Sequence, residues 1–592
     1  MKYKTTNHWK ASDSSGLFFF AQIIDEALFD YALDSYKPRS LNSRLLCIEA
    51  IRTIDFAKNG VIKRANLKSI IDELIDAVKS DLTIRSILGY KYDSLINNIN
   101  KNFEKDEALK NVISLLYYHL DDRKYLNKVK ELLIEKIIAG KEKEHIYNLT
   151  KTFLTELINY GYSSNYIYYK SNDFFFNKKN EVTSNSPEDF FNLFKFQEKE
   201  YDVLYRVSSH FKEFVPIVPK FNLELFEKFD LEDSIIGKAK FLKGKKSDEI
   251  FILCKKIKAF DDFKAKIVSE MPLTKIANLF SFYHHKERPF ISETAVVFNK
   301  TDSTILIIEN PQKSIIKKED IKPMAAVQKV KLLVDTLDLP KSTLLRITRA
   351  IDLHSIALET TELENKLLSL WTAVETLIPK DTESGKDRIV QIVESIIPSQ
   401  TVNYFNQILK QAASDFYNYD NKLAKETLLK VKLKKKESFI DTIFALISTA
   451  ENEDLRTNLF TQLDKHPLLR WRLFFLNKVF STAKETEGFL LNHQKRVEWQ
   501  IRRIYRVRNL IVHSGTMPSY TNLLIENLHN YFDIFLNLVI DDAIKFKRVK
   551  TVEQSILEMR FKHELILKNL SKCKKSAITL ETYKDILCEI SI

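Results

Sequence analysis

The chain has 592 residues and a formal net charge of +13, with 92 Lys and Arg against 79 Asp and Glu. Only 10 glycines and 13 prolines interrupt it, well below average usage, so long helices are expected. Cys47, Cys254, Cys573 and Cys588 show no CxxC spacing, so neither a disulfide framework nor a cysteine zinc site is indicated, which fits a reducing cytoplasm.

At about 150 residues per domain, the length predicts three or four domains. The basic excess permits a polyanionic partner, nucleic acid first; a solvated lysine surface would look the same. The apolar run Leu17–Ile24 is followed by Asp25 and Glu26. It is too short to span a bilayer, so a soluble, unexported, cytoplasmic protein with no membrane partner is expected.

Residues 18–160 carry successive helical patterns, among them LLCIEAIRTIDFA and LKSIIDELIDAVKSDL, with apolar residues three and four apart. The polar and aromatic stretch 171–189 reads as a linker or exposed loop. Strand-like runs follow: YDVLYRVSS, EFVPIVP, DEIFILCKKIKAF, TAVVFN and STILIIE. From about residue 322 the pattern is helical again. The fold class expected is therefore mainly α with a smaller β-containing middle domain. The divisions are a helical domain over 1–185, the middle domain over 186–320 and a helical domain over 321–592. The last holds an insertion at about 385–490 and a basic tail at 548–592.

The stretch RIYRVRNLIVHSG (503–515) ends an expected helix that Gly515 stops. Val497, Ile501, Ile504 and Ile511 make one apolar stripe at 100° per residue. Arg508 falls inside that stripe, while Arg502, Arg503 and Arg506 fall outside it, where solvated charges belong. A guanidinium on a buried face needs an anion, so Arg508 should meet a carboxylate, a phosphate or a partner subunit's acid. Asn509 and His513 share a face as i and i+4. Arg508 and His513 are about 140° apart on an ideal helix. Their convergence needs the arginine's length, a frayed last turn or two subunits. Histidine suits moving a proton from an RNA 2′-OH. Arginine suits holding charge on a phosphorane-like transition state. Asn509 suits orienting either.

The run Arg508-Asn509-Leu510-Ile511-Val512-His513 resembles the Rx4–6H signature of HEPN ribonucleases. Residues 349–379 and 495–515 resemble the opening helices and the motif helix of the Apea-like HEPN subgroup. The resemblance covers about 322–545. It implies a helical bundle that dimerises through the HEPN domain, pairs two motifs in one cleft and cuts RNA without metal or cofactor. It also implies a role in abortive-infection defence, with tRNA or other host RNA as substrate and a phage-derived trigger acting through residues 1–320. Arg508, His513 and Asn509 are the implied catalytic residues. Glu375, at the edge of the stripe made by Leu367, Trp371, Val374 and Ile378, is the candidate carboxylate to pair with Arg508 or orient His513. The alternative is a non-catalytic HEPN module that binds RNA or a protein.

Other motifs carry blander readings. Arg349 and His354 also fit the spacing and are read as structural. His284-His285 is read as a loop pair, and the YYHLDD run (117–122) as an exposed helix end. GKAKFLKGKKS (237–247) lacks the first glycine and the Ser/Thr of a phosphate loop and is read as a solvated hairpin.

Overall fold

The computed structural model describes residues 4, 9 and 15–588, apart from 30, 31, 61, 184, 185, 215, 217, 232–236, 310–321, 337, 338, 384, 436, 546–548, 574 and 575. The chain is 71% helix, with 25 α-helices among the described residues and one five-stranded antiparallel sheet. These residues fall into two compact units, one drawn from 1–7, 11–153 and 314–592, the other from 8–10 and 154–313.

The smaller unit is built on β1 (Lys199–Ser208), β2 (Leu223–Phe226), β3 (Glu249–Ala259), β4 (Ile291–Asn299) and β5 (Thr304–Ile308), in the order β2-β3-β1-β4-β5. β1 is central, with Leu204 opposite Leu253 on one side and Val296 on the other. The helix Asp262–Tyr283 packs Ala265, Leu273 and Ile276 against one face. Its N-terminus is capped by Asp261, which accepts from the Lys264 N–H at 2.8 Å. Burial and capping fix where this helix starts.

Three expectations fail here. The stretch 171–189 is not a free linker. Ser164–Phe176 and Ser186–Asn192 are helices, and Phe175 and Phe190 are fully buried, with ring centroids 4.8 Å apart. The aromatic side chains outweigh the polar composition because each buries a large apolar area. They join the sheet unit through Tyr162, whose ring lies 5.4 Å from that of Phe260, and through Ser163, whose N–H donates to Asp261 at 2.7 Å. The described residues of EFVPIVP form no strand either. Ser209–Phe214 and Val218–Phe221 are 3-10 turns, since Pro216 and Pro219 cannot donate to a ladder. The short strand β2 replaces it. GKAKFLKGKKS holds the short helix Lys238–Lys243 rather than a hairpin.

The larger unit holds the helices that position the motif: α1 (Ser43–Lys58), α2 (Ala65–Ser80), α3 (Lys341–Glu359), α4 (Leu363–Leu377), α5 (Arg388–Val402), α6 (Ala483–Ser514), α7 (Thr521–Lys545) and α8 (Val552–Lys572). Helices α3 to α8 share one core. Leu367, Leu370, Trp371 and Val374 meet Val497, Ile501, Ile504 and Ile511 there, with Leu524, Leu528 and Phe532 closing the other side. The stripe expected on α6 is thus the buried one. α5 belongs to this core, so separate packing of the inserted segment begins near Val402. From there a second core runs through Leu490 and takes in Ile566, Leu570 and Tyr583 from the tail.

Candidate functional site

α6 is 32 residues long, Ala483–Ser514. Thr482 caps its N-terminus by accepting from the Glu485 N–H at 3.2 Å. Gly515 ends it in the left-handed region at φ 61° and donates its N–H to Ile511 O at 3.1 Å. Glycine carries that turn without a Cβ penalty. The helix stays regular to Ser514, which removes a frayed last turn as a way for Arg508 and His513 to converge.

The arginines of RIYRVR are placed opposite to the expectation. Arg503 and Arg506 are not solvated: they are 1% and 6% exposed. Arg503 Nη2 donates to Glu73 Oε2 at 2.6 Å and its Nε to Glu49 Oε2 at 3.0 Å. Arg506 Nη2 donates to Glu49 Oε1 at 2.9 Å. Burial alone would raise the Glu49 carboxyl, but Arg503 and then Arg506 outweigh it and hold it below its ordinary value. The wheel failed because α6 is covered on two faces. One meets the bundle core; the other meets α1 and α2, more than 400 residues away in sequence.

Arg508 is half-buried near the C-terminal end of α6. Its one hydrogen bond among the described residues is from Nη1 to Asn509 Oδ1 at 3.1 Å, and no carboxylate pairs with it there. Of the three partners expected for it, a carboxylate of the same chain is therefore absent among the described residues. Asn509 holds the guanidinium, leaving further N–H donors for an incoming anion. His513 is exposed, one turn on from Asn509, and makes no hydrogen bond among the described residues. Val512 is 50% exposed and Met517 42%, so apolar surface flanks the histidine.

Glu375 sits half-buried near the end of α4. No hydrogen bond or ion pair links it to Arg508 or His513 among the described residues. The charge it faces is Arg388. That guanidinium closes the end of α4, donating to the carbonyls of Glu375 at 2.6 Å, Ile378 at 2.6 Å and Pro379 at 3.0 Å. These are the carbonyls a helix end leaves without partners. Trp371 of α4 lies against Tyr505 of α6, ring centroids 5.7 Å apart. The two segments that carry the family resemblance are thus in contact.

The rival histidine has a setting the sequence did not disclose. His354 Nε2 lies 2.9 Å from His529 Nε2, and Asp533 lies 3.6 Å from His354 and 3.5 Å from His529. Burial pushes the His354 pKa down. Among the described residues, this trio is the group with donor atoms close enough, within 4.8 Å, to hold a metal ion. Arg349 is exposed and apart from it. His284 and His285 are exposed. His119 ends a helix, and Asp121 caps the next by accepting from Lys124 N–H.

No helix among the described residues is long and apolar enough to cross a membrane. Comparisons with family models, curated proteins and solved structures return no match to this chain.

Proposed function

We propose that the chain is a metal-independent endoribonuclease of HEPN type, acting as a homodimer in abortive-infection defence. The observation that carries this reading is Arg508, a cation on a packed bundle helix without a carboxylate partner among the described residues, five positions before an exposed histidine. Arg508 would hold the phosphate through a bidentate fork. Asn509 would fix its orientation, and His513 would take or give the proton at the 2′-OH or the leaving oxygen. Within one chain the two side chains leave a regular helix about 140° apart, separated by a rise of about 7.5 Å. A second copy would bring its His513 to the first copy's Arg508, and the apolar Val512 and Met517 beside the motif suit coverage by such a copy. Glu375 serves this reading through Arg388 and the end of α4 rather than by touching the motif.

The test is cleavage of total bacterial RNA, tRNA included, in EDTA by the wild type and by His513→Ala. Cleavage to 2′,3′-cyclic phosphate ends that the variant loses supports the assignment. Equal cleavage by both removes it. The same single-chain separation favours the second reading, an RNA-binding HEPN module, if the protein runs as a monomer and binds RNA without cutting it, during phage infection as well.

A further inference from the structure

A second concentration of positive charge lies midway along the same helix. A cavity of about 140 Å³ opens in the larger unit, and four basic side chains line it: Lys37, Arg39, Lys151 and Arg496. One carboxylate, Glu73, lines it too, and that group is held by Arg503 at 2.6 Å. Lys37 is held by Glu526 at 2.9 Å. The remaining cations come from three distant places in the chain. Burial, and then the charge of Arg496, hold Arg39 below its ordinary pKa. Lys151 is pushed well down by burial and by both arginines. Lys151 donates to Ser35 O at 2.8 Å and to the Tyr147 hydroxyl at 3.2 Å, and the like charges of the three cations favour an anion among them. Arg496 is exposed and has no hydrogen bond or ion pair among the described residues.

The rest of the lining narrows the ligand. Trp499 and Tyr404 present rings, and Tyr404 is braced by His493 stacked 3.5 Å away. The Gln500 Oε1 is buried without a hydrogen-bond partner, an acceptor waiting for an N–H or O–H. Aromatic side chains, amide groups and a cluster of cations in one lining match a base and a phosphate together.

We infer that this cavity binds a small phosphorylated nucleoside, with Arg39, Lys151 and Arg496 gripping phosphate and the Trp499 and Tyr404 rings flanking the base. Arg496 and Arg508 are twelve residues apart on α6, about 18 Å along one rigid helix. Glu73 touches both the cavity and Arg503. Such a ligand is therefore placed to act on the motif. That effector role rests on the nuclease reading; the binding site does not, and its test reads binding alone.

The experiment is calorimetric titration and thermal melting of the full chain with ATP, AMP, a cyclic dinucleotide, inorganic phosphate and pyrophosphate. At least one nucleotide should bind with Kd below about 1 mM, tighter than phosphate or pyrophosphate, and raise the melting temperature. Arg496→Glu, at an exposed position, should fold as the wild type does and bind that nucleotide at least about tenfold more weakly. Two results would overturn the inference: no nucleotide binding below that limit, or full affinity in Arg496→Glu. Phosphate binding as tightly as every nucleotide would overturn the nucleoside part. Binding with an inactive nuclease would leave the site standing and remove only the effector role.

Discussion

Arg503 and Arg508 stand five residues apart on one helix and live in opposite circumstances. Arg503 is buried between two carboxylates from helices near the start of the chain. Arg508 is half-exposed and rests on an asparagine. The helix register did not separate these roles. The carboxylates did: a guanidinium becomes structural where its charge is answered inside the fold and stays available for phosphate where it is not.

Removing the answer at the structural end gives the largest effect. Glu49→Ala leaves Arg503 and Arg506 buried with one carboxylate between them. Breaking a buried pair this way costs about 3–5 kcal/mol, read as a lowered urea midpoint of the larger unit; an unchanged midpoint would erase the contrast. At the other end, Arg508→Ala should hold stability within about 0.5 kcal/mol. RNA cleavage should fall about 10²–10³-fold, as when one transition-state donor is lost. A variant that unfolds like Glu49→Ala would put Arg508 with the structural arginines. Arg388 offers an intermediate case, an arginine answered by backbone carbonyls. Arg388→Ala should cost about 1.5–3 kcal/mol, the range for hydrogen bonds to a charged group, measured by the same denaturation. Stability equal to wild type would mean water closes α4 as well as the guanidinium does.

A buried neutral base sharpens the comparison further. His466 is 3% exposed and caps the helix Pro467–Val479 by accepting from the Leu469 N–H at 3.1 Å. Burial pushes its pKa down to about 4. The unfolded chain takes up this proton near pH 6.5 and the folded site does not until about 4, so its stability is full above 6.5 and is lost as pH falls. Between pH 6.5 and 5 the wild type should lose about 2 kcal/mol that His466→Asn, which keeps a capping oxygen, does not. Parallel pH profiles for the two would show that His466 is not the acid-sensitive group.

Local pattern carried much of the fold into view. The 3.6-residue period marked Val497, Ile501, Ile504 and Ile511, and all four lie in one core. β-branched and aromatic runs marked four of the five strands. Phe175 was misread because its polar neighbours masked its contact with Phe190. At the candidate site, the arginine, asparagine and histidine were visible as types at a spacing. Arg503 and Arg506 were read as solvated because a wheel treats one face as the core, and nothing near 503 announces Glu49 or Glu73. Acids inside the apolar patterns at 45–57 and 67–82 were the available signal. The cavity beside Arg496 had none, since Arg39, Lys151 and Arg496 are adjacent only after folding.

The bond from Arg506 to Glu49 spans 457 residues, and that distance is also a delay. A ribosome adding 5–20 residues per second needs roughly 20–90 s to travel it. Throughout that interval the nascent chain has its acidic helices but lacks their basic counterparts. The motif itself, residues 508–513, is made just after the arginines that seat its helix. A cell making this protein therefore meets the motif only long after the acidic helices have been made, and a message truncated before residue 503 yields a chain with neither the seat nor the site.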